Sequence, residues 1–413
     1  MQIYFQIISK MSIKFRCPLE FLRKFILMKK IAIASVLKPV DDVRMYEKFA
    51  LSIIKYFPDE YEVHIIGAAS SHISHFHRVN NVFFYPLAQF DRLSKQRWKY
   101  GQVFLQHILK IKPNLLIINS PELLLPSLLI KIYLKIPVIY DVRENYFRNL
   151  WYQPNYAFFL RFPLAVLVRV LEYLSRFWID FYLLAEKNYE KEFSFSKGKS
   201  QVIENKYQWI MNNEQFPVKN ENPTTRHQPK TANQQAIIFL YTGTISYIYG
   251  THRAVRFIKK MQKYLPHSRL IIKGFCSDKK YRELLYQEVR GCNFIHWEIS
   301  EIPMSHQDII RAFAEADIAL LPYLPNKSTQ NCIPTKLYEY IAHRMPMIIQ
   351  YNPLWQEVCN SCKAAVFTDF EQFDAEILIQ ELNSFPFYYQ GNTDFVWWEN
   401  EEEKLRQVIE RFA

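Results

Sequence analysis

With 413 residues, 49% hydrophobic and 22% charged, the chain has enough apolar material for two buried cores and too little charge density for a disordered polymer. Its formal net charge of +12 is uneven: residues 1–200 hold 29 Lys+Arg against 16 Asp+Glu, and residues 201–413 hold 23 against 24. A basic first half points to an anionic membrane surface or a phosphorylated acceptor, and the lack of a zinc finger, an RNA-binding strand signature or a long basic run argues against nucleic acid.

Residues 1–27 are basic and apolar, with Phe15, Leu19, Leu22, Phe25 and Ile26 at rough helical spacing and no small-residue cleavage site. They read either as an over-long start, with Met28 the true beginning, or as an amphipathic anchor. A first domain is expected over 28–210. Its opening strand is 31–37, followed by a helix at 42–56, strands at 61–66 and 82–86, and a helix at 97–111. Further on come a strand at 114–119, a helix at 121–134 and the strand VIYDV at 138–142. Strands alternating with helices predict a doubly wound α/β domain, whose ligands gather at the carboxyl ends of its strands. His72, His75 and His77 are spaced too loosely, and with no carboxylate, for a convincing metal site. The segment 146–182 is rich in aromatics and arginines. A helix is expected at 162–178, either packed with a solvated edge or lipid-facing through Trp151, Phe158, Phe159 and Trp178. The strand QVIEN at 201–205 closes the domain, and 211–235, polar and bearing Pro217, Pro223 and Pro229, reads as a linker.

A second βαβ series occupies 236–394. Strands are expected at 236–241, 269–273, 293–297, 317–322 and 347–349, with helices at 251–263, 277–290 and 306–315 between them. Thr242-Gly243-Thr244 lies between a strand and a helix, where glycine lets backbone approach a phosphate. Pro334 marks the start of a helix, which places Thr335 and Lys336 beside unpaired N–H groups at a positive dipole end; Glu339 lies one turn deeper. Six cysteines, with Cys359 and Cys362 in a lone C-x-x-C, suggest reduced thiols.

The stretch STQNCIPTKLYEYIAHRMPMIIQ resembles the nucleotide-sugar motif of retaining GT-B glycosyltransferases, particularly family four. The resemblance implies two Rossmann-like domains facing across a cleft, the first binding acceptor and the second binding donor. The C-terminal segment 395–413 would form a helix crossing back to the first domain. Glu339 falls on the family's ribose-binding Glu, and Asn331 on the Glu that contacts the donor sugar. Gly243, Thr244, Gly250, Gly274, Pro334, Thr335 and Lys336 would complete the donor site. The family's Arg and Lys of the first donor loop are replaced by Thr244 and Tyr249, so the leaving diphosphate needs another cation: Lys336 first, with Arg253 and His252 as candidates. Arg143 stands where relatives often have His; Asp42, Arg44, Arg143 and Glu144 are the expected acceptor contacts, and Lys336, Asn331 and Arg143 the expected catalytic set.

No Asp-x-Asp metal motif is present, as in metal-independent GT-B enzymes, and no cofactor beyond the nucleotide-sugar substrate is expected. The reading is a cytosolic glycosyltransferase, peripheral on the inner leaflet, that transfers a sugar with retention to a glycan or lipid-linked acceptor in surface polysaccharide synthesis. Two alternatives are a sugar epimerase of the same architecture and a degenerate module that binds nucleotide sugar or scaffolds a complex.

Overall fold

The computed structural model describes residues 28–70, 79–87, 97–153, 156–208, 236–302, 304 and 306–413. The N-terminal extension, the three histidines between the second and third strands, and the expected linker lie outside the described residues. The run after Met28 forms β1 (Lys29–Pro39), buried continuously from Ile31 to Val36. A strand apolar on both faces belongs in the middle of a parallel sheet. It pairs in parallel with β2 (Tyr61–Ala68) and with β4 (Leu115–Ile118). With β3 (Val82–Leu87), β5 (Val138–Val142), β6 (Phe181–Leu184) and β7 (Ser200–Val202), they make a seven-stranded sheet of order 3-2-1-4-5-6-7.

The helix expected at 42–56 begins as a π-wound segment, Arg44–Ala50, and continues as α1 (Leu51–Tyr56). Next come α2 (Arg97–Ile111), α3 (Leu124–Leu134), α4 (Tyr146–Tyr152), α5 (Phe158–Ser175) and α6 (Tyr189–Glu192). Asn145 caps α4 by accepting from Arg148 N at 3.0 Å. α5 starts and ends a few residues earlier than expected, and the apolar run FYLL that follows it is a buried strand, β6.

The second sheet has six strands in order 10-9-8-11-12-13. They are β8 (Ile238–Thr244), β9 (Arg269–Phe275), β10 (Ile295–Ser300), β11 (Ile318–Leu321), β12 (Met347–Gln350) and β13 (Ala365–Thr368). The intervening helices are α7 (Thr251–Met261), α8 (Lys279–Val289), α9 (His306–Glu315), α10 (Thr335–Ala342) and α11 (Pro353–Asn360), and α12 (Ala375–Ser384) and α13 (Glu399–Phe412) follow. Asp278, Asn352 and Asp374 cap α8, α11 and α12 with their side-chain oxygens. Strand order reverses between β8 and β11, the kind of point where open α/β sheets bind ligands.

By internal contacts the chain divides into two units. One gathers the residues up to Val142 with Leu174–Leu183 and Leu405–Ala413; the other holds Arg143–Tyr173 and Leu184–Lys404. Within the first, the end of α13 is anchored by Lys29 Nζ donating to Ala413 O at 2.8 Å and by Phe412 against Phe181. Among the described residues no helix is long and apolar enough to cross a membrane.

Candidate functional site

The carboxyl end of β8 is built for close backbone approach. Gly243 takes φ +103°, where an L side chain is strained, and it pairs across the sheet with Gly274. A Cβ on Gly274 would lie 1.8 Å from the carbonyl oxygen of Gly243, so β9 must carry glycine there. Gly250, at φ +69°, begins α7, and a Cβ on it would meet the carbonyl of Pro322 at 2.0 Å. It holds the strand-to-helix turn closed rather than facing the cavity.

α10 packs onto β8 through the buried Tyr340, whose hydroxyl lies 2.9 Å from Thr242 Oγ1 and accepts from Thr242 N at 3.3 Å. Pro334 is the N-cap of α10, with extended backbone, rather than a residue of its first turn. The helix opens on Thr335 and Lys336, whose N–H groups have no intrahelical partner. The Lys336 side chain lies across Gly243, its Cε 3.1 Å from where a Cβ would stand. Its Nζ is 2.6 Å from Glu339 Oε2.

Gly243, Thr244, Gly274, Pro334, Thr335, Lys336 and Glu339 all line one cavity of about 430 Å³ in the second unit. This volume is in the range of small-molecule sites. Sequence reasoning missed the rest of the wall. Phe275, Met304 and Ile309 supply apolar surface, and Thr242, Tyr249, Tyr323, Thr329 and Cys332 complete it. The signals for Phe275 and Tyr323 were positional, since each stands at or just past the carboxyl end of a strand. Among the described residues of the lining, Lys336 is the one cation and Glu339 the one carboxylate.

The two other cations offered for a diphosphate are committed elsewhere. Arg253 is 2% exposed, bonds Asp369 at 3.1 Å and Glu371 at 2.9 Å, and donates to the carbonyls of Pro322 and Tyr323. His252 is buried, stacked on Tyr247 at 4.6 Å and bonded to Tyr281 Oη at 3.0 Å. Burial lowers its pKa, which disfavours the charged imidazole. Both are structural groups of α7.

Asn331 does not line the cavity. In the amide orientation its neighbours demand, its side-chain oxygen accepts from Arg148 Nη1 at 2.9 Å and Nη2 at 3.2 Å. Arg148 also donates to Lys327 O at 3.1 Å and bridges to Glu192 at 3.0 Å. Asn188 Nδ2 donates to Asn331 O, and Glu186 accepts from Ile333 N. The loop before α10 is therefore gripped by residues of α4, α6 and the segment after β6, all in the second unit. Burial, reinforced by Glu186, pushes the Cys332 thiol up to about 12, away from the thiolate form that a nucleophile needs.

Of the expected acceptor residues, Asp42 and Arg44 belong to the first unit. Asp42 accepts from Arg44 N and Met45 N, as a helix-start residue does. Arg44 is 1% exposed, and its guanidinium grips Asp141 at 2.7 to 3.1 Å, so it is held inside that unit and not offered to an acceptor. Arg143 and Glu144 follow β5, half-buried and outside the cavity lining, with Glu144 accepting from Asn149 Nδ2 at 3.0 Å. The five described cysteines, Cys359 and Cys362 included, are free thiols.

No family model matches the chain, and no curated protein matches it by sequence. Solved structures do match by shape. The Anabaena protein Alr3699/HepE in complex with UDP-glucose is similar with TM-score 0.60 at 11% identity, covering 92% of this chain and 99% of that one. Sucrose-phosphate synthase from Thermosynechococcus elongatus is similar with TM-score 0.63 at 12% identity, over 93% and 98%. UDP-GlcNAc 2-epimerase from Neisseria meningitidis bound to UDP-GlcNAc is similar with TM-score 0.60 at 11% identity, over 92% and 100%. At such identities the likeness defines the fold: two Rossmann-like parallel-sheet domains of the GT-B kind.

Proposed function

We propose that this protein is a glycosyltransferase that binds a nucleoside-diphosphate sugar in the cavity between β8 and α10. The observation that carries the reading is Lys336. It is laid over Gly243 at the start of α10, beside Glu339, in a cavity with no second cation among its described residues. A diphosphate fits against Lys336, the first N–H groups of α10 and the glycine-lined end of β8. Glu339, one turn along, suits a ribose diol, and Phe275, Met304 and Ile309 offer an apolar wall to a base. Neighbours of the same fold were solved with UDP, UDP-glucose or UDP-GlcNAc bound, which favours a uridine diphosphate donor.

In the transfer step the bond between the anomeric carbon and the β-phosphate oxygen breaks as the acceptor oxygen bonds to that carbon on the same face. The acceptor proton passes to the departing phosphate. Lys336 stabilises the charge building on the diphosphate, so it acts mainly on turnover. The acceptor is a glycan or lipid-linked glycan on the cytosolic side, in surface polysaccharide synthesis. Because UDP-GlcNAc 2-epimerases share the fold, epimerisation of the donor is the second reading.

Calorimetry with UDP, UDP-glucose and UDP-GlcNAc, followed by product analysis, tests both readings. Lys336→Ala is expected to lower kcat about 100-fold with a smaller change in Kd. Glu339→Ala is expected to weaken UDP binding about tenfold. Unchanged UDP affinity in Glu339→Ala removes that residue from the site. A 2-epimer released from UDP-GlcNAc without acceptor favours epimerisation, and binding with no turnover favours a degenerate binding module.

A further inference from the structure

α5 carries its charges on the wrong side for a surface helix. Glu172 is fully buried, and Arg169 turns to it at 3.3 Å with its guanidinium 4.6 Å from the Phe193 ring centre. Arg161 is half-buried and donates to Tyr156 O at 2.8 Å. The outward positions are apolar throughout. Phe158 is 85% and Phe159 74% exposed, and Phe162, Val166, Leu167 and Val170 continue the face along successive turns. Tyr173 adds the one hydroxyl. Helices on water-facing surfaces show the reverse pattern, and apolar patches of this extent mark a docking face.

Three features identify the occupant as a lipid surface. Protein interfaces carry about one hydrogen bond per 100–200 Å², and this face offers a single hydroxyl with which to orient a protein. Its aromatics crowd one end, where Trp151 packs edge-on against Phe162 at 4.9 Å, as aromatic side chains do at headgroup depth. Cations flank it: Arg161 lies over Phe158 at 5.9 Å, and just past the helix Arg176 lies over Phe177, a ring 73% exposed. Paired guanidinium and phenyl groups suit the boundary between phosphates and acyl chains. In the first unit, α3 shows a comparable stripe, with Leu125, Leu129, Ile132 and Tyr133 all exposed. Trp178, one of the residues of the lipid-facing alternative, turns inward and donates to Leu124 O and Ser127 Oγ.

We propose that α5 is a membrane-interface helix. It lies along an anionic bilayer with Phe158, Phe159, Phe162 and Leu167 among the upper acyl chains and Arg161 and Arg176 at the phosphates. The proposal stands apart from the donor reading, because its readout is vesicle binding.

Full-length protein is floated with vesicles of phosphatidylglycerol and phosphatidylethanolamine, and separately with phosphatidylcholine alone. Flotation with the anionic vesicles is expected, and Phe158→Ser/Phe159→Ser/Leu167→Ser should reduce partitioning at least about tenfold while melting temperature and UDP affinity hold. Arg161→Gln/Arg176→Gln should keep weak binding and lose the preference for anionic lipid. If the triple variant fails to fold, Phe159→Ser alone carries the test with a smaller loss. Equal flotation of wild type and variant overturns the proposal, as does a wild type that stays unbound. A wild-type dimer that the variant converts to monomer, without vesicle binding, makes the face a contact between copies of this chain.

Discussion

Gly274 and Gly291 are glycines for different reasons, and substitution separates them. Gly291 takes φ +78° with nothing within 4 Å of a built Cβ, so Gly291→Ala meets only backbone strain, about 1 kcal/mol. At Gly274 the added carbon would collide with Gly243 O, which can move only if β8 and β9 part at the cavity. Gly274→Ala is therefore expected to cost about 3 kcal/mol and to abolish UDP binding, whereas Gly291→Ala binds normally. Thermal melts and calorimetry on the pair check this. Lys336 and Glu339 were legible from the sequence because helix phase and a proline stop place them on the first turns of a short helix. Arg253 and His252 were further candidates on paper. Their partners, Asp369, Glu371 and Tyr281, lie 29 to 118 positions away, beyond the reach of local pattern.

At the scale of elements, the loop leading into α10 is shaped from outside. Its own residues form a tight turn, with Thr329 N and Gln330 N donating to Asn326 O. Its position is set by Arg148, Asn188 and Glu186, and by Trp355 Nε1 donating to Cys332 O at 2.8 Å. Charge-assisted bonds of the Arg148 kind contribute about 1.5–3 kcal/mol each. Arg148→Ala should raise the UDP Kd about tenfold and leave melting within about 2 °C, because the loop loosens while both sheets remain. Arg148→Lys should recover part of the affinity, since a single ammonium replaces only part of the guanidinium fork. A melting loss as large as the affinity loss would mean that Arg148 supports the whole unit. The same long reach explains a missed strand. FYLL of β6 is short and apolar, and it directly follows a long apolar helix, so periodicity alone does not separate the two.

At the scale of the molecule, alternating buried strands and amphipathic helices made two doubly wound sheets readable. Alternation carries no sign that residues Arg143–Tyr173 group with the second unit, because that depends on contacts far apart in sequence. The first sheet also holds an acid-sensitive group. His64 on β2 is 5% exposed, stacked on Phe83 and bonded to Tyr85 Oη at 3.0 Å. Burial, helped by Lys30, lowers its pKa to about 4; the Glu62 carboxylate, 3.3 Å away, does not reverse this. Between pH 6.5 and 4 the unfolded chain therefore binds more protons than the folded one, so stability falls as pH drops. Up to about 3 kcal/mol is at stake. Melting curves from pH 7 to 4.5 should fall, and His64→Phe should flatten that fall. An unchanged slope would place the acid sensitivity elsewhere.

On the proposed reading, the contact between Lys336 and Glu339 makes the cavity an ion exchanger with its counter-ion built in. A diphosphate donor would take Lys336 from a carboxylate partner, and Glu339 would turn to the ribose diol, so the lysine changes partners instead of acquiring one and pyrophosphate alone should gain less than a nucleotide. Glu339→Gln breaks this coupling. It should bind inorganic pyrophosphate about tenfold more tightly than wild type, with a steeper loss in salt, yet gain no affinity for UDP. Titrations of both ligands at two ionic strengths measure the exchange directly.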